Sequence, residues 1–294
     1  MTTARLVKSF VTIAGKVALV TLLTVSAAHG GVLERLFAPK AKLWERWTAH
    51  DQSASTSIDH SAWDRFLKTY VSVHDDGINR VAYAFVRNAD RQALSTYITN
   101  LESTPISRYN RDEQLAYWVN LYNALTVKLV LDEYPVDSIR EIKISPGVFA
   151  PGPWGKKLIA VEGESLSLND IEHRILRPIW RDPRIHYAVN CAAIGCPNLQ
   201  RTAFSAANSD ALLDAAAREY INHPRGARFQ EGKLIVSSIY VWFKKDFVSS
   251  DGSVIKHLRR YAKFDLATRL GNTKKPEGDE YDWGLNDRYN RSKT

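Results

Sequence analysis

The pattern of apolar positions divides the chain into a first half of long helical periods and a second half of short segments broken by turns. From Ile58 onward, Trp63, Phe66, Leu67 and Tyr70 fall at the i, i+3, i+4, i+7 spacing of one helix face, and Asp59 is placed to cap its start. A second helix is predicted from Val81 to Leu101. The third, over 111–131, is apolar nearly all round, and Tyr134-Pro135 ends it. Leu115, Trp118, Tyr122, Leu125 and Leu129 share one side, while Ala116, Val119, Leu121, Ala124 and Val127 fill most of the remaining circumference. Such a helix is buried. Glu113, Asn120 and Asn123 then lie inside the protein, where each needs hydrogen-bond partners or costs about 1–3 kcal/mol; a structural network locking a loop against the helix is the plainest use for them.

Beyond Ile142 the periods shorten. Pro146-Gly147 and Pro151-Gly152-Pro153-Trp154-Gly155 read as an irregular loop, and Leu158–Leu168 as a hairpin turning at Glu162-Gly163. A helix follows over Asp170–Leu176. Arg184–Asn190 alternates as a strand, with Ile185, Tyr187 and Val189 on one face, and leads into the loop Cys191–Pro197. Leu212–Ile221 reads as a helix, Arg228–Val236 as a hairpin and Ser238–Phe247 as a helix rich in aromatic residues. The tail from Gly271 is polar, but Tyr281, Trp283 and Leu285 are unusual for a free end. The fold class expected is α+β in a single domain, mainly helical in the first half with a small sheet of hairpins in the second.

The N-terminus has a different pattern. Arg5, Lys8 and Lys16 precede the apolar run Val17–Val25 and the small residues Ser26-Ala27-Ala28, which together read as a secretory signal over 1–28. The run is too short for a transmembrane helix, which needs about 20 apolar residues, so no stable membrane anchor is expected. An N-terminal extension and linker is expected over 29–57, the globular domain over 58–286 and a polar tail over 287–294. The exported protein would be periplasmic or extracellular. Composition adds limits: with 45% hydrophobic residues, eight Trp and thirteen Tyr the chain can fill a core. Its net charge of +8 is scattered, without the basic block that tracks a nucleic-acid backbone.

Candidate chemistry gathers within twenty-four residues, at His173, His186, Cys191 and Cys196. Two cysteines with four residues between them in an oxidising compartment favour a Cys191–Cys196 disulfide. As a thiol, Cys196 follows the turn-forming Gly195 and precedes Pro197, a setting for a nucleophile, with His186 or His173 as base and Asn190, Asn120 or Glu113 to orient it. Such a Cys/His/Asn set on an α+β scaffold is similar to the papain and transglutaminase type of hydrolase, although the local cysteine signatures of those families are absent. A zinc site is the third option, from His186, Cys191 and Cys196 with His173 or Asp182, at a spacing wider than structural zinc sites commonly use. Trp154, Tyr240, Trp242 and Phe243 either pack the core or line a groove for sugar or peptide.

Several blocks resemble the family catalogued as domain of unknown function 547: Gln114–Leu125, Ile171–Arg177, Asp182–Cys191 with Cys196-Pro197, Ser238–Phe247 and Tyr281–Asn286. The resemblance runs over roughly residues 60 to 286. It implies that the tail belongs to the fold and that the two halves form one unit, and it brings no activity with it. The functions expected are a Cys/His-dependent hydrolase or acyl transferase acting on an envelope amide or ester; a non-catalytic envelope binding or scaffold protein, with a structural disulfide and a peptide, glycan or protein partner; or a zinc-binding protein.

Overall fold

The computed structural model describes residues 38–146 and 152–289. The expected signal over 1–28, part of the loop at 146–155 and the last five residues lie outside the described residues. The fold is α+β, about 48% helix and 11% strand, with small separate sheets.

Helix α1 (Ser61–Tyr70) buries Trp63, Phe66, Leu67 and Tyr70, the face its periodicity marks, and Asp59 accepts from the Ser61 N–H at its start. A hairpin follows, β1 (Val71–Val73) and β2 (Asn79–Val81), turning through Gly77 at φ +74°. Helix α2 is Asn88–Glu102 and α3 is Arg111–Glu133. The helix expected from Val81 therefore starts seven residues late. Val81 pairs with Val71 across the hairpin and donates to Asn286, which holds this stretch extended.

Helix α3 is the central element, buried from Ala116 to Val127. Its polar residues tie distant loops to it. Asn120 Nδ2 donates to Phe204 O at 2.8 Å and its Oδ1 accepts from Phe204 N–H at 3.0 Å. Asn123 does the same for the loop before the cysteines, donating to Ala188 O at 2.9 Å and accepting from Asn190 N–H at 2.8 Å. Glu113 accepts from Ile58 N–H.

Strands β3 (Ile159–Val161) and β4 (Glu164–Leu166) form the expected hairpin and lead into α4, a helix over 168–180. Its middle, Ile171–Leu176, is a π-helical turn in which the Arg177 N–H reaches Glu172 O. The cause is local. Pro178 has no N–H to donate to Arg174 O, so the ladder is interrupted and the turn widens. The carbonyls of His173 and Arg174 are taken instead by the N–H groups of Lys42 and Trp44, from an N-terminal strap laid along the helix.

The strand expected over Arg184–Asn190 is instead one helical turn, α5 (Ile185–Ala188), followed by extended chain. Asp182-Pro183 is the start signal that wins here, since Asp182 accepts from the Arg184 N–H and its carbonyl from Ile185. The alternation has no single face to serve, because Ile185 packs into one hydrophobic cluster and Tyr187 into another. The remaining elements are α6 (Ser209–Ile221), β5 (Ala227–Gln230), β6 (Lys233–Ser237), α7 (Ile239–Trp242), α8 (Lys244–Asp251), α9 (Val254–Tyr261), α10 (Phe264–Gly271) and β7 (Gly278–Glu280). The single helix expected over Ser238–Phe247 breaks at Phe243 into α7 and α8. β7 adds a parallel strand to the β5–β6 hairpin.

One hydrophobic cluster surrounds α3; the other gathers Tyr187, Tyr220, Tyr240, Phe247 and Leu258. The packed body reaches past the expected 58–286 at both ends. Trp47 is in the first cluster, with Trp44 against it, and Asp287 is buried, accepting from the Tyr134 hydroxyl. Among the described residues no helix is long and apolar enough to cross a membrane.

Asn123 is therefore expected to matter for stability out of proportion to its size. Replacing it with leucine, of similar volume, leaves Ala188 O and Asn190 N–H buried without partners and costs about 3 kcal/mol in urea unfolding. A loss below about 1 kcal/mol would show that the loop finds other partners.

Candidate functional site

A cleft of about 400 Å³ opens where the two clusters meet. From the first come Tyr122, Trp154 and Val189; from the second, Ile239, Trp242, Phe243 and Tyr281. Its polar lining includes Glu172, His173 and His186, and the Cys191–Cys196 pair lies on its wall.

The two cysteines are joined in a disulfide. Their loop is shaped by Asn190, whose side chain donates to Pro197 O at 2.7 Å and accepts from the Ala192 N–H at 2.8 Å. The chain's last segment is laced onto it: Ile194 N–H donates to Gly284 O and Gly195 N–H to Asp282 O, both at 2.7 Å. Gly195 is needed for this approach, since a Cβ there would lie 2.7 Å from the Asp282 nitrogen. The lacing brings the Tyr281 hydroxyl to 3.0 Å from Cys196 Sγ and 3.1 Å from Cys191 Sγ. Cys196 Sγ also receives the Cys191 backbone N–H at 3.0 Å.

Opposite the sulfurs' loop in sequence, the π turn of α4 carries Glu172 and His173. Both are buried, as are His186 on α5 and Arg177 one turn further along α4. Asp246 on α8 completes the group. Its Oδ2 accepts from Arg177 Nε at 2.7 Å and from His186 Nε2 at 2.8 Å. Burial works against the charge of Asp246, but these hydrogen bonds outweigh it and hold the carboxyl below the usual range. Asp246 is thus an acceptor, which fixes the proton of neutral His186 on Nε2. The lone pair on Nδ1 then faces Glu172 Oε1, 3.8 Å away. A guanidinium can only donate, so His173 Nδ1, 2.8 Å from Arg177, carries a lone pair and its proton is on Nε2.

Burial sets the charges. It lowers His186 to about 4, against its hydrogen bond to Asp246, and it lowers His173 well below the ordinary histidine value with help from Arg177. Both rings are neutral near pH 7. Burial raises Glu172 from 4.5 to about 7, more than Arg177 and the Tyr122 hydroxyl hold it down. A carboxyl that exchanges its proton near neutrality, beside neutral imidazoles, is equipped for general acid and base work.

The apolar wall is aromatic. Trp242 and Trp283 stack with centroids 5.8 Å apart, Trp154 meets Trp283 edge-on, and Tyr281 lies 4.8 Å from Trp242. Phe243 stacks on His186 at 4.5 Å and receives the Arg177 guanidinium on its ring.

Of the residues singled out in the sequence, His173, His186, Cys191, Cys196 and Trp154 line this cleft. Asn190 is buried behind the cysteine loop, and Glu113, Asn120 and Asn123 serve the loop anchors on α3. His173 Nδ1 and both ring nitrogens of His186 face Arg177, Asp246 and Glu172, so the partners of these nitrogens are not the sulfurs. Glu172, Arg177, Asp246, Tyr281 and Tyr122 were not marked by sequence as site residues. Asp246 and Tyr281 stand 60 and 90 residues from His186 and Cys191, and no spacing rule links them. Glu172 had a signal, an acid between apolar residues and next to His173. Among the described residues no group of three or more His, Cys, Asp or Glu side chains is placed to hold a metal ion.

The Glu172 shift has a thermodynamic consequence. The folded protein binds that proton more tightly than the unfolded chain, so the stability it contributes falls as pH rises from about 4.5 to about 7. The buried histidines act in the opposite sense, so the measurement is the difference between Glu172→Gln and the natural protein. The variant should gain relative stability across that window, by up to about 3 kcal/mol in urea titrations. A difference that does not change with pH would mean Glu172 is ionised as usual.

No curated protein and no solved structure matches the chain. Residues 106–221, which carry Glu172, His173, His186 and both cysteines, match the sequence model of the family described as "Protein of unknown function, DUF547", the same family that the chain's motifs resemble.

Proposed function

We propose that the cleft is the active site of a thiol-dependent hydrolase or acyl transferase acting on an amide or ester, with Cys196 as nucleophile once the disulfide is reduced. The observation that carries this reading is the convergence on one cleft of the Cys196 sulfur, held by two hydrogen-bond donors, and of Glu172, which titrates near pH 7. The Tyr281 hydroxyl and the Cys191 N–H would favour a thiolate at Cys196. That thiolate attacks the carbonyl carbon, and a C–S bond forms. The amine or alcohol leaves with a proton from Glu172, giving an acyl thioester. Water then attacks the thioester, losing its proton to the Glu172 carboxylate, and the acid is released with Cys196 regenerated. His186, held by Asp246, and His173, held by Arg177, would position Glu172 without adding charge of their own.

The aromatic wall supports a substrate with a flat or apolar flank, such as a peptide or an acylated sugar. The export signal expected over 1–28 directs the choice to amides and esters of the cell envelope. A second reading is favoured by the disulfide itself: in the oxidised protein the aromatic cleft binds an envelope peptide or glycan without turnover, and the cysteines serve only to hold their loop.

The experiment is acylation with 4-nitrophenyl acetate, followed by intact mass and peptide mapping, on protein with the disulfide left intact or reduced by a phosphine. Reduced protein is expected to take one acetyl group on Cys196 and oxidised protein none. Glu172→Gln should slow loss of that acetyl group by about 100-fold. If the reduced protein forms no adduct, or Cys196→Ser forms it equally well, the enzyme reading fails and the binding reading replaces it.

A further inference from the structure

We infer that Cys191 is a site of thiol–disulfide exchange, at which a small thiol enters the cleft, attacks the Cys191 sulfur and forms a mixed disulfide while Cys196 leaves. The exchange goes beyond the proposed hydrolysis and stands without it; acyl transfer would only give the released thiolate a use.

Three observations carry this. First, the disulfide is on the wall of an open cleft rather than in either core. Second, the two residues are unequally buried: Cys196 is 3% exposed, whereas Cys191 is half-buried, which favours approach of a thiolate from the Cys191 side. Third, the two are unequally solvated. The Tyr281 hydroxyl, with one proton to give, lies 3.0 Å from Cys196 Sγ and 3.1 Å from Cys191 Sγ, and Cys196 Sγ also receives the Cys191 backbone N–H at 3.0 Å, which makes the difference. Exchange is fastest when the accessible sulfur is attacked and the other leaves as a stabilised thiolate. Here access and stabilisation select the same direction.

The step balances as written. The thiolate sulfur bonds to Cys191 Sγ, the Cys191–Cys196 bond breaks, and its electron pair remains on Cys196 as thiolate. A second thiolate attacking the mixed disulfide at the small-molecule sulfur releases Cys191, leaving the protein as the dithiol and the small thiol as its symmetrical disulfide. The oxidant is the protein's own disulfide, and the ligand class is a low-molecular-weight thiol, with the aromatic wall and buried polar group of the cleft favouring a short peptide such as glutathione.

The test treats the oxidised full chain with reduced glutathione, quenches at intervals with acid and N-ethylmaleimide, and maps both cysteines by mass. The expected early species carries glutathione on Cys191 and maleimide on Cys196. Tyr281→Phe, lacking a donor to the leaving sulfur, should form it about tenfold more slowly. A second comparison does not depend on that variant folding. With oxidised glutathione at about pH 10, where both thiols are largely ionised and access decides the rate, Cys196→Ser should be modified at its remaining Cys191 about tenfold faster than Cys191→Ser at its Cys196. Glutathione on Cys196, equal rates in the two serine variants, or a disulfide that resists glutathione while yielding to a phosphine would each overturn the inference. Because the acylation experiment uses phosphine-reduced protein, failure of exchange and failure of acyl transfer are separate results.

Discussion

A buried guanidinium must be paired, and in this protein the pairing of Arg177 organises the site. Arg177 is 6% exposed, and its neighbours are chosen to satisfy it: Asp246 Oδ2 at Nε, with Pro39 O and His173 Nδ1 at Nη1. Each partner comes from a different part of the chain. Asp246 brings α8 and the second hydrophobic cluster against α4. Pro39 brings the N-terminal strap, which also caps the carbonyls that the π turn exposes. Removing one partner from such a group leaves an uncompensated buried charge, at a cost of about 3–5 kcal/mol. The geometry of the cleft floor is consequently overdetermined: Arg177 fixes the tautomer of His173, Asp246 fixes that of His186, and both rings are held facing Glu172.

The opposite wall is set by a different device, hydrogen bonding of irregular backbone to buried amides. The chain before the cysteines is extended but pairs with no strand, so its polar groups need side-chain partners, and Asn123 on α3 supplies both a donor and an acceptor. Asn190 repeats the arrangement for Ala192 and Pro197. Ala192 is thereby held at φ +58°, a conformation that a non-glycine residue seldom adopts. The strain is local to the loop that carries the disulfide, and the lacing by residues 281–286 keeps it in place. The tail is for this reason part of the site: Tyr281 is delivered to the sulfurs by the Gly195–Asp282 and Ile194–Gly284 hydrogen bonds.

How much of this the sequence disclosed depends on the range of the interaction. The α1 face, the long buried helix, and the hairpins at 159–166 and 227–237 follow from periodicity and turn residues within a dozen positions. The hairpin at 71–81 had its signal in Asp76-Gly77, but Val81 was read forward into a helix because its tertiary partner, Asn286, is two hundred residues away. Arg184–Asn190 alternates like a strand and is not one, because alternation implies a face only when one sheet surface is buried, and here the residues divide between two clusters. The π turn was hidden for a subtler reason. Pro178 announces a missing donor, but whether the helix ends, kinks or widens depends on whether another N–H donates to the freed carbonyl, and the strap that does so lies 130 residues upstream. In the site, residue types with obvious chemistry were found from sequence, namely His173, His186, Cys191 and Cys196. Arg177, Asp246 and Tyr281 were not, because their importance lies in whom they meet.

The charge balance of the assembled cleft links its two walls. Arg177 and Asp246 cancel, and the histidines are neutral, so the group near α4 has one exchangeable proton, on Glu172. While the disulfide is closed, nothing else in the cysteine loop carries charge. Reduction would change that: the thiolate proposed for Cys196, beside Tyr281 and the Cys191 N–H, would add a negative charge to the same cleft, and like charges disfavour one another. In that state Glu172 would hold its proton more firmly. The thiolate and the protonated carboxyl are the pair of states that the proposed acyl transfer would need at the outset, a nucleophile already ionised and an acid ready for the leaving group. In the proposed reaction, the redox state of the cysteines would therefore set not only whether a nucleophile exists but also the protonation of its partner.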